Sequence, residues 1–211
     1  MTRSDIVKLA KYGEECIADS YNSPDLKEKL LSLAEEQFNQ LIIEYKSECI
    51  EPMVGYLYGR LGEVKYNQKE YLNAEKNYLD ALANLIVRGE YCQDRANAHL
   101  GLAKTYMKLA NEEGAREHFI RAIHIFDSLA MNDMINKIAK DFEKLAIRIQ
   151  DVLPAREINE NGEPTKCREC GGSKFKKIRV ENEKIAIYDC VNCGCRNVII
   201  LDMLELITEH H

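Results

Sequence analysis

Four cysteines near the end of the chain, Cys167, Cys170, Cys190 and Cys193, are the residues best suited to do chemistry. They form two C-x-x-C pairs with nineteen residues between the pairs. Two thiolates at that spacing reach one ion when the chain turns tightly between them. Gly171 and Gly194 each follow the second cysteine of a pair, where backbone N–H groups fold back toward sulfur. Four sulfur ligands fill a tetrahedral shell and leave no open position, so the spacing predicts one structural Zn2+ per chain rather than a catalytic metal. Cys195 fits this spacing less well than Cys193, and Cys16, Cys49 and Cys92, scattered over helical sequence, read as buried or half-buried free thiols.

Short β-rich runs must position the two knuckles. KFKKIRV and KIAIYDC, joined by Glu-Asn-Glu, lie between them, and CRNVIILDM follows as a third strand. This arrangement, over about residues 165–203, resembles a zinc ribbon of the type found in transcription factors, polymerase subunits and many unrelated proteins. The resemblance speaks for the metal site and says little about function. A module of about 35 residues buries too little core to fold unaided, so the role implied for the ion is folding. Iron in a rubredoxin-like site is the alternative. Val191-Asn192 inside the second knuckle and the scarcity of aromatics argue against it. Lys174, Lys176 and Arg179 could share one face of the basic strand and track phosphates. Lysines on an edge strand also guard against aggregation, and Phe175 reads as core rather than as a base-stacking platform.

Ahead of the cysteines the chain reads as helices. Three segments align, AEEQFNQL from Ala34, AEKNYLDA from Ala74 and AREHFIRA from Ala115, at offsets of 40 and 41. Each carries a small Ala, an aromatic four residues on (Phe38, Tyr78, Phe119) and a small or apolar residue three later (Leu41, Ala81, Ala122). That i, i+4, i+7 spacing is one helix face. YLYGRLGEVKYNQKEYLNA and HLGLAKTYMKLANEEGA supply an earlier helix before the second and third copies. With them, residues of about 5–150 resemble the tetratricopeptide repeat, a helix–turn–helix unit that stacks into a solenoid. The central copy matches at Tyr58, Leu61, Gly62, Tyr71, Ala74, Tyr78 and Ala81, but has Lys65 where the first-helix Tyr belongs. An offset near 40 exceeds the usual period of about 34, which implies longer helices.

Stop signals divide this region into about seven helices. Pro24 separates the first from the second, Pro52 opens the third, Asn67-Gln-Lys precedes the fourth, and Gly89 caps it. A seventh helix follows Met131 with Asp133 as its cap. The expected organisation is a helical domain over 1–150, a linker over 151–165, the ribbon over 166–203 and a tail over 204–211. The linker, DVLPAREINENGEPT, has two prolines and an Asn-Gly and reads as a semi-extended connector.

A solenoid of this family docks partners on a concave face built from the first helix of each repeat. The resemblance places Tyr56, Arg60, Glu63, Tyr66 and Asn67 on that face in one copy, and Asn97, Leu100, Lys104, Met107 and Lys108 in the next. Aromatics, amides and a few cations suit an extended peptide or another protein's helix. The family's carboxylate-clamp pattern does not map, because Gly59 and Glu63 occupy two of its places.

Composition agrees with two modules. Net charge is −6, yet residues 165–199 hold eight Lys/Arg against four Asp/Glu, an excess of four that leaves −10 elsewhere. No window nears about 18 uninterrupted apolar residues, and the opening MTRSDIVKLAKYGEE lacks the apolar region of a secretion signal, so the cytoplasm is the expected compartment. Phosphate-binding, nucleophile-elbow, dinucleotide and HExxH motifs are absent. His99, His118 and His124 read as structural, and His210 and His211 are left out of the functional reading. The reading is a mainly α protein that acts as a non-enzymatic adaptor. It binds a protein segment, with nucleic acid as the alternative partner of the ribbon and self-association compatible with either.

Overall fold

A computed structural model describes residues 3–47, 51–85, 92–143, 157–159, 163–167, 170–181, 185–193 and 196–200. They fall into two compact units, Met1–Ala122 and Ile123–His211, with the boundary inside a helix. The first unit holds α1 (Arg3–Asn22), a 3-10 turn at Pro24–Leu26, α2 (Lys27–Ser47), α3 (Glu51–Asn67), α4 (Tyr71–Leu85), α5 (Gln93–Lys108) and the first part of α6 (Glu112–Ser128). Each helix from α1 to α5 packs on its sequence neighbour, and α3 also meets α5. Gly89 lies outside the described residues. No described helix is long and apolar enough to cross a membrane.

All nine residues of the threefold signature are buried: Ala34, Phe38 and Leu41 on α2, Ala74, Tyr78 and Ala81 on α4, Ala115, Phe119 and Ala122 on α6. Phe38 anchors one core with Cys16, Ile17, Leu57 and Leu61, and Tyr78 anchors a second with Leu85, Ala98 and Leu102. Small residues let the aromatics in. A Cβ at Gly62 of α3 would come within 2.7 Å of the Tyr78 ring, and one at Gly101 of α5 within 2.3 Å. Lys65, the departure from the repeat pattern, has its own role. Its ammonium lies 2.7 Å from Glu35 of α2 and 3.2 Å from Glu70 at the start of α4. Burial works to lower its pKa, but the two carboxylates outweigh it and raise the value.

Three of the described helix ends, those of α3, α5 and α6, close by one device. Lys69, Ala110 and Ala130 have positive φ (65°, 56° and 56°), and the next N–H in each case bonds back over the turn, Glu70 to Lys65 O, Asn111 to Tyr106 O and Met131 to Phe126 O. These are Schellman closures, a conformation that favours glycine. An Ala there bears a steric cost of roughly 1 kcal/mol. Ala110→Gly is therefore expected to raise stability by up to about 1 kcal/mol, less the entropy that glycine adds to the unfolded chain. Urea unfolding measures this, and a loss of stability would show that the turn tolerates Ala without strain.

The second unit holds the rest of α6, α7 (Asn132–Glu143) and five strands. Asp133 lies inside the first turn of α7 rather than capping it, because the helix begins one residue earlier. The strands β1 (Glu157–Ile158) and β2 (Pro164–Lys166) pair antiparallel, so part of the segment expected to be a connector is a small hairpin. The Asn159 side chain accepts the Glu163 N–H at 2.8 Å, and the Asn159 N–H reaches Glu163 O at 2.9 Å. The Asn-Gly in between is a hairpin signal as much as a flexible one.

A separate antiparallel sheet orders β3 (Phe175–Glu181), β4 (Ile185–Cys190) and β5 (Arg196–Ile200) as β3-β4-β5. Its central strand is not amphipathic: Ile185, Ala186, Ile187 and Tyr188 are all buried. Ala186 and Tyr188 cluster with Ile199 and Phe175, while Ile185 and Ile187 alternate to the opposite face, so both faces of β4 are covered.

Candidate metal centre and candidate docking cavity

The sheet brings the two cysteine pairs together. Phe175 pairs with Cys190 in the β3–β4 register, and the Val191 N–H bonds to Lys174 O, so the end of β4 lies beside the start of β3. The first knuckle closes through the Gly171 N–H on Cys167 O at 2.9 Å and the Cys167 N–H on Gly172 O at 2.8 Å. Gly171 takes φ +70°, and a Cβ at Gly172 would come within 2.4 Å of Asn192 in the other knuckle. Gly171 is needed for conformation, and at Gly172 a side chain would have to displace the Asn192 amide and press on Cys170 Sγ at 3.3 Å.

All four sulfurs lie within 4.8 Å of one another. Across the knuckles, Cys167 Sγ stands 3.7 Å from Cys193 Sγ, and Cys170 Sγ 3.6 Å from Cys190 Sγ. A disulfide needs about 2.05 Å, so none joins either pair. Sulfurs about 2.3 Å from a tetrahedral Zn2+ would stand about 3.8 Å apart. The donor set therefore fits a four-coordinate ion of that size. The Gly172 N–H donates to Cys170 Sγ at 3.4 Å, and the buried Asn197 amide reaches Cys167 Sγ at 4.0 Å. Cys167 and Cys190 are buried, whereas Cys170 and Cys193 are exposed. Cys195 and Gly194 lie outside the described residues.

Basic residues follow the edge strand. Lys174 and Lys176 are exposed, and the Lys177 ammonium sits 5.8 Å from the centre of the Tyr188 ring. Lys176 pairs with Asp189 and Arg179 with Ile187, with a register shift between Lys177 and Arg179. That bulge restores the register, so Lys176 and Arg179 stand opposite residues on one face of β4 despite an odd spacing. Ile178, at the bulge, is exposed.

The helical unit contains a cavity of about 420 Å³, lined from α1, α3, α4 and α5. Tyr56, Arg60, Glu63, Tyr66, Asn67, Asn97, Leu100 and Lys104, all expected on the concave face, line it. Met107 and Lys108 do not: Met107 is half-buried and Lys108 exposed, beyond the cavity along α5. Tyr21 of α1, Tyr78, Asp94, Ala98 and three glycines, Gly55, Gly59 and Gly101, complete the wall.

A connected polar network lies inside. Arg60 Nη1 meets Glu63 Oε2 at 2.6 Å. The Tyr21 hydroxyl donates to Glu63 Oε1 at 3.2 Å and accepts from the Asn67 amide at 2.9 Å. Asn67 also bonds the Glu63 carbonyl at 3.0 Å. Arg60 Nε is buried without a hydrogen bond, and the Asn97 side chain is exposed. Burial raises the Tyr78 phenol far above its ordinary pKa, with the Glu63 charge adding to the effect, so the floor of the cavity is neutral. Tyr21 was not foreseen, because it lies in the first helix, ahead of any recognisable signature.

No protein-family profile matches the chain, and no solved structure does. The chain is similar to SPX domain-containing protein 2 of Arabidopsis thaliana, with 28% identity over 132 residues, 62% of this chain and 44% of that protein. It thus spans less than half the length of this curated relative.

Proposed function

We propose that the protein is a non-enzymatic adaptor of the cytoplasm, in which tetratricopeptide-like helical repeats hold an extended protein segment. A ribbon folded around one Zn2+ supplies a second contact through its basic edge. One observation carries this reading: eight of the ten residues assigned from sequence to a docking face line a single cavity. Its chemistry suits a peptide. Tyr21, Tyr56 and Tyr66 offer amphipathic rings, and the exposed Asn97 amide can donate to a backbone carbonyl and accept from a backbone N–H at once. Four cysteines closed around an ion offer structure and no open coordination site.

The test places a photo-crosslinking amino acid at Asn97, inside the cavity, and in a control at Leu79, exposed on α4 outside it. In extract of the source cell, the Asn97 probe should trap a polypeptide that survives nuclease, Lys104→Glu should lower the yield, and the Leu79 probe should trap none. Equal products from both positions, or a product that nuclease removes, would sink the reading. The second outcome would favour nucleic acid as the partner instead.

A further inference from the structure

Opposite its cavity side, α5 meets the first part of α6 through two imidazoles. His99 Nδ1 and His118 Nδ1 are 2.9 Å apart, and the rings stack with centroids separated by 5.1 Å. His99 is buried, and its Nε2 has no hydrogen bond. At 100° per residue, His99 lies about half a turn away from the line of Asn97, Leu100, Gly101 and Lys104 that faces the cavity.

Counting protons shows what this pair tolerates. A hydrogen bond between two Nδ1 atoms needs one N–H and one bare nitrogen. Two neutral imidazoles carry two protons: one is shared between the Nδ1 atoms, and the other sits on a single Nε2. The lower-cost arrangement leaves the buried Nε2 of His99 bare, so His99 donates and His118 accepts. A third proton has no such place. Either it occupies His99 Nε2, a buried donor without an acceptor, or the bond between the rings breaks. A fourth sets two N–H groups against each other.

The surroundings add to the cost. Arg95 on α5 and Arg121 on α6 both bear on His99. Glu117 is engaged by Arg121, whose Nε and Nη2 each lie 3.1 Å from its Oε1. The Tyr106 ring lies 5.6 Å from that of His118. Burial, and then the bond to Glu75 of α4, push the Tyr106 phenol up to about 12, so it stays neutral. Burial first, and then His118, Arg121 and Arg95, hold His99 well below the ordinary imidazole range.

We infer that the His99–His118 bond is a proton-sensitive latch. It holds α5 against α6 when neutral and releases α5, a wall of the docking cavity, on acidification. The regulatory meaning rests on the docking reading above, whereas the latch does not. An imidazole whose folded pKa is depressed contributes stability above its unfolded value and loses it as pH falls below about 6.5. In the open state one imidazole at that value favours opening by about tenfold more at pH 5.5 than at pH 7.5.

Amide hydrogen exchange on the full chain at pH 7.5 and 5.5, corrected for intrinsic rates, reads this directly. Protection of α5 and of residues 112–122 should fall about tenfold in the parent, with α1 and α2 unchanged. In His99→Gln, which removes the titrating imidazole, the fall should vanish. NMR titration of the parent should keep His99 neutral well below pH 6.5, and this needs no variant to fold. Protection independent of pH, an equal fall in His99→Gln, or an ordinary His99 titration would each overturn the latch. Cross-linking at Asn97 separates the two claims. If it fails at pH 7.5 while α5 still opens, the docking reading falls and the latch stands. If it is equally efficient at both pH values while α5 opens, the latch does not regulate docking.

Discussion

Replacing Cys190 by Ser is expected to leave the chain without its ion and to unfold the β3-β4-β5 sheet. Parent protein should carry one Zn2+ per chain by elemental analysis, and the variant none. Cys190 is buried, ends the central strand and lies 3.6 Å from Cys170 Sγ, so its loss opens the tetrahedron and removes β4's anchor together. Structural zinc supplies about 10–16 kcal/mol at neutral pH, far more than a three-stranded sheet of this size can replace. Chelation of the parent should have the same effect, with Cys170 and Cys193 exposed to attack. NMR amides of the sheet report the loss, and those of α1 to α5 should persist. Iron with a visible thiolate band in the parent, or sheet amides that survive in the variant, would overturn the assignment.

Tyr78→Ala is the second large effect. The ring is wedged between Gly62 and Gly101 and forms the floor of the cavity. Truncating a buried aromatic removes its transfer free energy and leaves a void, together about 3–5 kcal/mol. Chemical denaturation of the helical unit should show this loss, and cross-linking at Asn97 should weaken with it. A variant within about 1 kcal/mol of the parent would mean that α3 and α5 collapse into the space, which would place the glycines there for some reason other than the ring.

Much of this was legible in the sequence because it is local. The Ala–aromatic–small signature names one helix face, and the cysteine spacing names a ligand set before any fold is known. What escaped reading depends on residues far apart or on backbone conformation. Lys69, Ala110 and Ala130 close turns in a conformation whose usual sign is glycine, and none is glycine. Lys65 looked like a lapse in the repeat until Glu35, thirty residues earlier, was found beside it. Asn197 reaches a cysteine thirty residues away, and nothing in its neighbourhood marks it as a partner of sulfur. The His99–His118 pair was invisible for the same reason: each histidine alone looks structural, and only the packing of two helices makes them one group.

Stacking each helix on its predecessor has a consequence in time. Contacts between sequence neighbours close short loops, so the array has low contact order and should fold quickly, hairpin upon hairpin. During synthesis α1 through α5 can assemble before the cysteines exist. The ribbon follows another clock. Its ligands become adjacent only once β3 and β4 pair across nineteen residues, and the sheet is secured only when an ion arrives. Newly made chains in a metal-poor cell would then accumulate with a finished array and an unfinished ribbon.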